Sequence, residues 1–379
     1  YGNILEVLVK NKKKILMVFI PHIKLTKLDK QRFKKIKKPY DIYFLSTDYP
    51  DIIVNSKTIN LFLNERKRLL VKSKLFNGFL KNLYIYSAET IISEDNQRSW
   101  NYANELYKII KNCSTKNLIT TYEGHSWERL FYYFTKKANS NVRCIGYQHT
   151  LLFEYNYSIL REISSLFDPD LILASGEKTL KLISNKLSKR IRIELLGSPK
   201  HKINQKNSIN ISNNILFLPS GEFKEAFIMT NFAINYAKLN PKINIVIRYH
   251  PIIENKFNQI KEYKNFRKSN KTILSDCKNS RWAVYSSSTA IFEAIQLGCM
   301  PINLSIENLI SINDPLWQIS SDLITKINNK EELSLLINKT KYNRKSEMSL
   351  NKKYSILNDQ VNNLRSSLNI KILEKDFEK

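Results

Sequence analysis

The chain has 379 residues and a formal charge of +27, from 61 Lys and Arg against 34 Asp and Glu. Its 42% hydrophobic content supports packed cores, and 8 Gly with 10 Pro exclude a low-complexity chain. Cys113, Cys144, Cys277 and Cys299 are widely spaced with no CxxC pair, which excludes a disulfide scaffold and zinc-finger spacing and fits a reducing cytoplasm.

The charge favours anionic partners: nucleotide sugars, acidic glycans, nucleic acid or an anionic membrane. Nucleic acid fits least, because the basic residues are scattered and no RNA-binding signature appears. No apolar run approaches the length of a membrane span. The start at Tyr1-Gly2-Asn3 carries neither Met nor a signal-peptide pattern, as in a segment cut from something longer.

In the first half, Ile15–Ile20, Ile42–Leu45, Leu83–Tyr86, Leu118–Thr121, Val142–Tyr147, Leu171–Ala174 and Ile193–Leu196 read as strands. Trp100–Lys111 and Trp127–Lys137 read as helices between them. Lys10–Lys38 is Lys-rich and reads either as a contact with anionic lipid or as a solvated surface. Gly197-Ser198-Pro199 and the polar run Lys200–Asn214 read as a linker. The strand pattern then restarts at Ile215–Leu218, Ile243–Ile247, Thr272–Leu274, Ala283–Tyr285 and Pro301–Leu304. Helices fall at Glu225–Leu239 and Ala290–Leu297, and a polar helical tail at about Ile356 to Phe377. Such alternation predicts an α/β chain with two doubly wound, largely parallel, Rossmann-like domains, residues 1–200 and 201–379, the tail packing on either domain.

Two loops of the first half concentrate reactive side chains. Tyr122-Glu123-Gly124-His125-Ser126-Trp127-Glu128-Arg129 follows the strand Leu118–Thr121. Glu123 is the first candidate for a catalytic carboxylate, as a general base or a nucleophile. His125 is the alternative base, and Glu128 the third candidate, although an acid is favoured in a first helical turn on structural grounds alone. Trp127 reads as a sugar-stacking ring or as core. Gln148 and His149, at the end of the next strand, reach the same cleft if the two strands are parallel. Asp168-Pro169-Asp170 is the nearest approach to a metal-holding Asp-x-Asp, but its Pro fits a turn, and no metal or other cofactor is expected.

The second half places polar groups where a parallel sheet binds ligands, at the carboxyl ends of its strands. Arg248-Tyr249-His250-Pro251 closes one strand, with Arg248 and His250 on the same face. Ser286-Ser287-Ser288-Thr289 closes another and opens a helix. One cap needs one hydroxyl, and the surplus suits a phosphate-bearing ligand. Glu293 lies four or five residues further on and suits ribose hydroxyls. Ser220 and Gly221 line a pocket or form a plain turn.

Arg-x-His-Pro, the Ser/Thr cluster and Glu293-Ala294-Ile295-Gln296-Leu297-Gly298-Cys299-Met300-Pro301 together resemble the donor domain of GT-B glycosyltransferases with cytidine-activated donors. These include bacterial sialyltransferases and Kdo transferases, and the glycerophosphotransferases of teichoic acid synthesis are similar. The likeness covers mainly Ile215–Leu304. It implies that His250, Pro251 and Ser286–Thr289 hold a CMP phosphate and Glu293 the ribose. The function it implies is a metal-independent transferase of capsule or lipopolysaccharide assembly. It would pass Kdo or a sialic-acid-like sugar to a glycan or lipid-linked glycan acceptor at the inner membrane face. A CDP-polyol phosphotransferase, a UDP- or GDP-sugar transferase and a non-catalytic glycan-binding module are the competing expectations.

Overall fold

The computed structural model describes residues 5, 8–10, 13–20, 39–45, 52–199, 208–306, 314–340, 344–369 and 371–372. Most of Lys10–Lys38, the first part of the expected linker and the end of the expected tail helix lie outside them.

The first domain holds a parallel pair, β1 (Leu16–Phe19) and β2 (Asp41–Phe44), followed by three helices, α1 (Ile52–Ser73), α2 (Gly78–Thr90) and α3 (Glu94–Asn112). A four-stranded parallel sheet comes next: β3 (Asn117–Thr121), β4 (Arg143–Gln148), β5 (Leu171–Ala174) and β6 (Arg192–Leu195), side by side in chain order. Helix α4 (Ser126–Ala138) crosses from β3 to β4, and α5 (Glu177–Lys186) from β5 to β6. The register pairs Thr121 with Tyr147 and Gln148 with Ala174, so the loops that begin at Tyr122, His149 and Ser175 share one sheet edge.

The second domain is a six-stranded parallel sheet of β7 (Ile215–Leu218), β8 (Ile245–Ile247), β9 (Phe266–Lys268), β10 (Trp282–Tyr285), β11 (Met300–Leu304) and β12 (Thr325–Ile327). Its spatial order is β12-β11-β10-β7-β8-β9. Counted from β7, that is the 3-2-1-4-5-6 Rossmann order, whose switch point lies between β7 and β10. Every residue of β7, β8, β10 and β11 is buried, as expected of strands covered on both faces. The covering helices are α6 (Phe223–Leu239), α7 (Ile273–Lys278), α8 (Ala290–Gln296), α9 (Lys330–Thr340) and α10 (Arg344–Asn362).

Three local expectations change. Leu83–Tyr86 is helical, part of α2; a four-residue apolar run carries too little periodicity to separate strand from helix. Thr272–Leu274 opens α7, because the Thr272 hydroxyl accepts from Ser275 N at 3.3 Å and caps it. The strand of that region is β9, whose Phe-Arg-Lys sequence hides an edge position. Residues 208–214 pack on the second sheet: Asn210 is buried, and its Nδ2 donates to the carbonyls of Cys277, Ser280 and Leu297.

The tail also differs from the expected helix. Helix α10 ends at Asn362 and buries Tyr354, Leu357 and Val361 in the second domain's core. The chain then crosses to the first domain as an extended strap. Ser366 N donates to Ser175 O at 3.0 Å, Ser198 N to Ser366 O at 2.9 Å and Asn369 N to Leu196 O at 2.7 Å. Gly176 and Gly197 admit the strap, since a Cβ at either would overlap the carbonyl of Leu364 or Ser367. The domains meet again where Trp317 Nε1 donates to Leu152 O at 2.7 Å and Lys178 Nζ to Gln318 O at 2.9 Å.

Candidate functional site

Glu123 ends up between two imidazoles. His125 Nε2 lies 3.2 Å from one carboxylate oxygen, and His149 Nε2 lies 3.8 Å from the other. The parallel pairing of β3 and β4 creates this meeting, because it sets the two loops side by side. Glu123 and His149 are both little more than a quarter exposed, so the group is open to a ligand while packed on its flanks.

Glu128 builds the loop that presents Glu123. It lies three residues into α4 from His125 and is fully buried. Its carboxylate turns back to accept from His125 N at 2.8 Å and from Glu123 N at 3.0 Å. Burial pushes its carboxyl up to about 7, and the backbone N–H bonds pull in the opposite direction. Gly124 holds φ at +81°, and a Cβ there would overlap the backbone of Ser158. Arg129 locks the outside of the loop. It donates to Gly124 O, Ser158 O and Arg161 O and forms a buried ion pair with Asp168.

Two other first-domain candidates sit elsewhere. Trp127 packs edge to face on Phe131, at 5.4 Å between ring centroids, against the α3–α4 core. Gln148 is buried, and its Oε1 accepts from Ser175 N at 3.2 Å and Ser175 Oγ at 2.9 Å, bracing β4 to the loop after β5. Asp168 and Asp170 are both engaged: Asp168 pairs with Arg129 and Arg190, and Asp170 pairs with Lys136 at 2.8 Å and accepts from Cys144 N at 2.7 Å.

At the switch point of the second domain the organising group is Glu225, which sequence reasoning missed. It is buried three residues into α6 from the capping Glu222. Its carboxylate accepts from Ser220 N at 3.0 Å, from Ser220 Oγ at 2.8 Å and from the Ser287 hydroxyl. One side chain thus ties the loop after β7 to the loop after β10. The hydroxyls of Ser286, Ser288 and Thr289 make no hydrogen bond among the described residues, and Ser286 and Ser288 are largely buried.

His250 follows β8 and stands over the glycine of the β7 loop. A Cβ on Gly221 would lie 3.3 Å from its Nδ1. The ring is exposed, and Nδ1 accepts from Ile252 N at 3.3 Å. A neutral ring therefore carries its proton on Nε2, which makes that nitrogen a donor. Pro251 is exposed and begins the turn after His250. Arg248 does not join this group. Its guanidinium pairs with Asp276 at 3.1 Å and donates to Lys271 O, on the β9 side and away from β10. Glu293 is partly exposed and lies 4.0 Å from Arg365 of the strap. Arg365 is buried over the Phe292 ring, and burial holds its guanidinium below its ordinary range.

Glu123-Gly124-His125-Ser126-Trp127-Glu128 and Ser220-Gly221-Glu222-Phe223-Lys224-Glu225 are the same device. Each follows the strand that leads into its crossover helix, and each has its glycine and glutamate four residues apart. In each, the glutamate accepts from the backbone N–H five residues before it. That shared spacing was the available signal for Glu225.

No protein-family model matches the chain, and no curated protein matches it. Solved structures match over nearly its whole length. The glycotransferase of kitacinnamycin superposes with a TM-score of 0.56 at 9% identity, covering 98% of this chain and 93% of that one. The spinosyn rhamnosyltransferase SpnG, complexed with thymidine diphosphate, gives 0.52 at 10%, covering 100% and 95%. UGT2 of Phytolacca americana, complexed with UDP-2-fluoro-glucose and pterostilbene, gives 0.51 at 9%, covering 99% and 94%. At these identities the likeness is one of fold. The chain has the GT-B fold, two Rossmann-like domains, and its second domain shows the Rossmann strand order outright.

Proposed function

We propose that this chain is a glycosyltransferase that takes a sugar from a nucleotide-activated donor. The donor sits at the β7–β10 switch point of residues 201–379, and residues 1–200 hold the acceptor. The observation that carries this reading is Glu123, a partly open carboxylate flanked by two imidazoles at the carboxyl edge of its sheet. Glu123 takes the proton of an acceptor hydroxyl as that oxygen bonds to the anomeric carbon. The bond from that carbon to the donor phosphate breaks, and its electron pair leaves on the phosphate. His250 Nε2 and the hydroxyls of Ser286, Ser288 and Thr289 supply hydrogen-bond donors for that charge. Glu293 takes the ribose hydroxyls. A metal takes no part in this reading; the only Asp-x-Asp candidate, Asp168 and Asp170, is committed to ion pairs.

For the donor we propose a CMP-linked acidic sugar, Kdo or sialic-acid-like, used in surface polysaccharide assembly. The Arg-x-His-Pro, Ser/Thr and Glu-Ala-x-x-x-Gly-x-x-Pro elements support it. A UDP- or TDP-sugar is the second reading, favoured by the ligands of two fold neighbours, thymidine diphosphate and UDP-2-fluoro-glucose. A thermal-shift panel with CMP, CDP, UMP, UDP and TDP, with and without EDTA, decides between them. A nucleotide at a hundredfold excess over its Kd stabilises the folded state by about 2.7 kcal/mol. Stabilisation by CMP alone, unchanged by EDTA, supports the first reading. A response to UDP or TDP moves the donor to the second. No response to any of these nucleotides sinks both donor readings and favours a glycan-binding module.

A further inference from the structure

Helices α1 and α2 form a hairpin joined by residues 74–77, with Phe76 stacked on Tyr84 at 5.2 Å. Its inner side is ordinary core: Phe62 packs on Trp100, and Ala88 is buried. Its outer side is not covered by any described residue. Val71 is 63% exposed, Leu75 75%, Phe79 78% and Tyr86 64%, and Leu80 and Leu83 are exposed beside them. Positions 79, 83 and 86 fall at helical spacing on α2, and Val71 and Leu75 lie at the end of α1 and in the joining loop, so the large apolar groups make a stripe around the hairpin tip. A stripe of this size on a water-soluble face marks an interaction surface.

The charges around the hairpin tip have one sign, with Glu65 and Glu89 lying just beyond them. Residues 66–88 include Arg66, Lys67, Arg68, Lys72, Lys74 and Lys81, and no Asp or Glu. Of these, Arg68 pairs with Glu65 just outside the segment. A second copy of the chain would bring the same cations face to face, since a two-fold interface is self-complementary. Anionic lipid answers both halves of the pattern: headgroups for the cations and the acyl boundary for the apolar tip. No helix among the described residues is long and apolar enough to cross a membrane, so the contact is one of a surface.

We propose that the tip of the α1–α2 hairpin docks on an anionic bilayer surface. Leu75, Phe79, Leu80 and Leu83 enter the headgroup–acyl boundary, and Lys67, Lys72, Lys74 and Lys81 meet lipid phosphates. This does not depend on the reaction proposed above.

Co-sedimentation with vesicles tests it. The full chain should bind equimolar phosphatidylcholine–phosphatidylglycerol vesicles at least about tenfold more tightly than phosphatidylcholine alone, and more weakly as salt rises. Phe79→Glu with Leu83→Glu should abolish binding without moving the melting temperature, since both side chains are exposed. Lys72→Glu with Lys74→Glu and Lys81→Glu should weaken it on the order of 100-fold. Equal binding to both vesicles, binding to neither, or binding unchanged in both variants overturns the proposal. So does light scattering that shows a dimer which Phe79→Glu with Leu83→Glu splits.

Discussion

Glu123→Gln keeps the shape of the side chain and removes its ability to take a proton. With His125 and His149 still beside it, the variant should fold and bind donor as before, while kcat falls on the order of 100- to 10,000-fold. Single-turnover kinetics with retained nucleotide affinity would show this, and unchanged kcat would remove Glu123 from the chemistry. His250→Ala deletes an exposed ring whose one hydrogen bond among the described residues is local, so stability should hold while the donor Kd rises about tenfold. Glu128 has a pH signature of its own. Its carboxyl is raised from 4.5 to about 7 by burial, so between those values the folded state holds the proton that the unfolded state loses. The stability tied to that proton is complete below 4.5 and is lost as pH rises through about 7. Glu128→Gln removes this slope. The melting temperature of the native chain relative to the variant should fall from about pH 5 to about pH 7.5, and a constant difference would contradict it. Glu123, His125 and His149 were legible because a strand end so rich in carboxylate and imidazole stands out. The work of Glu128 was not, because an acid in a first helical turn reads the same whether it meets solvent, ligand or its own backbone.

The unit that repeats between the two domains is a strand, a turn and the first turn of a helix. In both copies a buried glutamate three residues past the cap holds the turn from inside. In the first copy the turn needs glycine for two reasons at once, a φ of +81° and the backbone of Ser158 against the Cβ position. Gly124→Ala should therefore cost ~3 kcal/mol or more, seen as a drop of several degrees in melting temperature. A loss within ~0.5 kcal/mol would mean the loop reshapes freely. In the second copy the glutamate reaches further, to Ser287 of the next loop. Arg248 and His250, two residues apart just past the end of β8, end in different company. His250 faces the β7 loop that Glu225 braces, while Arg248 is drawn to Asp276 at the sheet's other side. Strand alternation predicts a shared face, but both residues lie past the strand, and α7, a helix the sequence disguised as a strand, takes the head group of Arg248. The buried strands β7, β8 and β10 were easy to see as continuous apolar runs. Edge strands β9 and β12, Phe-Arg-Lys and Thr-Lys-Ile, carry no such run.

Across the whole molecule the two domains are held together by few, distant pieces of chain. The strap beyond Asn362 supplies backbone partners to Ser175, Leu196 and Ser198 and brings Arg365 against Glu293. Ending the chain at Asn363 removes all of these. Calorimetry should then resolve two transitions, the lower one from the first domain. A single transition at the native temperature would show that the strap carries no coupling. Nothing in the strap's own residues announces this role, since Leu364-Arg365-Ser366-Ser367-Leu368 is an unremarkable polar stretch. The signal lies elsewhere, in Gly176 and Gly197, two glycines just past strand ends whose Cβ positions the strap occupies.

Those two glycines also set an order of events. The surface they leave bare is finished by residues that leave the ribosome only after the whole second domain. During synthesis the first domain must wait without the strap's backbone bonds to Ser175 O, Leu196 O and Ser198 N, and it gains them only once the strap emerges. The step that finishes the first domain is therefore the same step that joins it to the second, and a nascent chain has no completed half to release early.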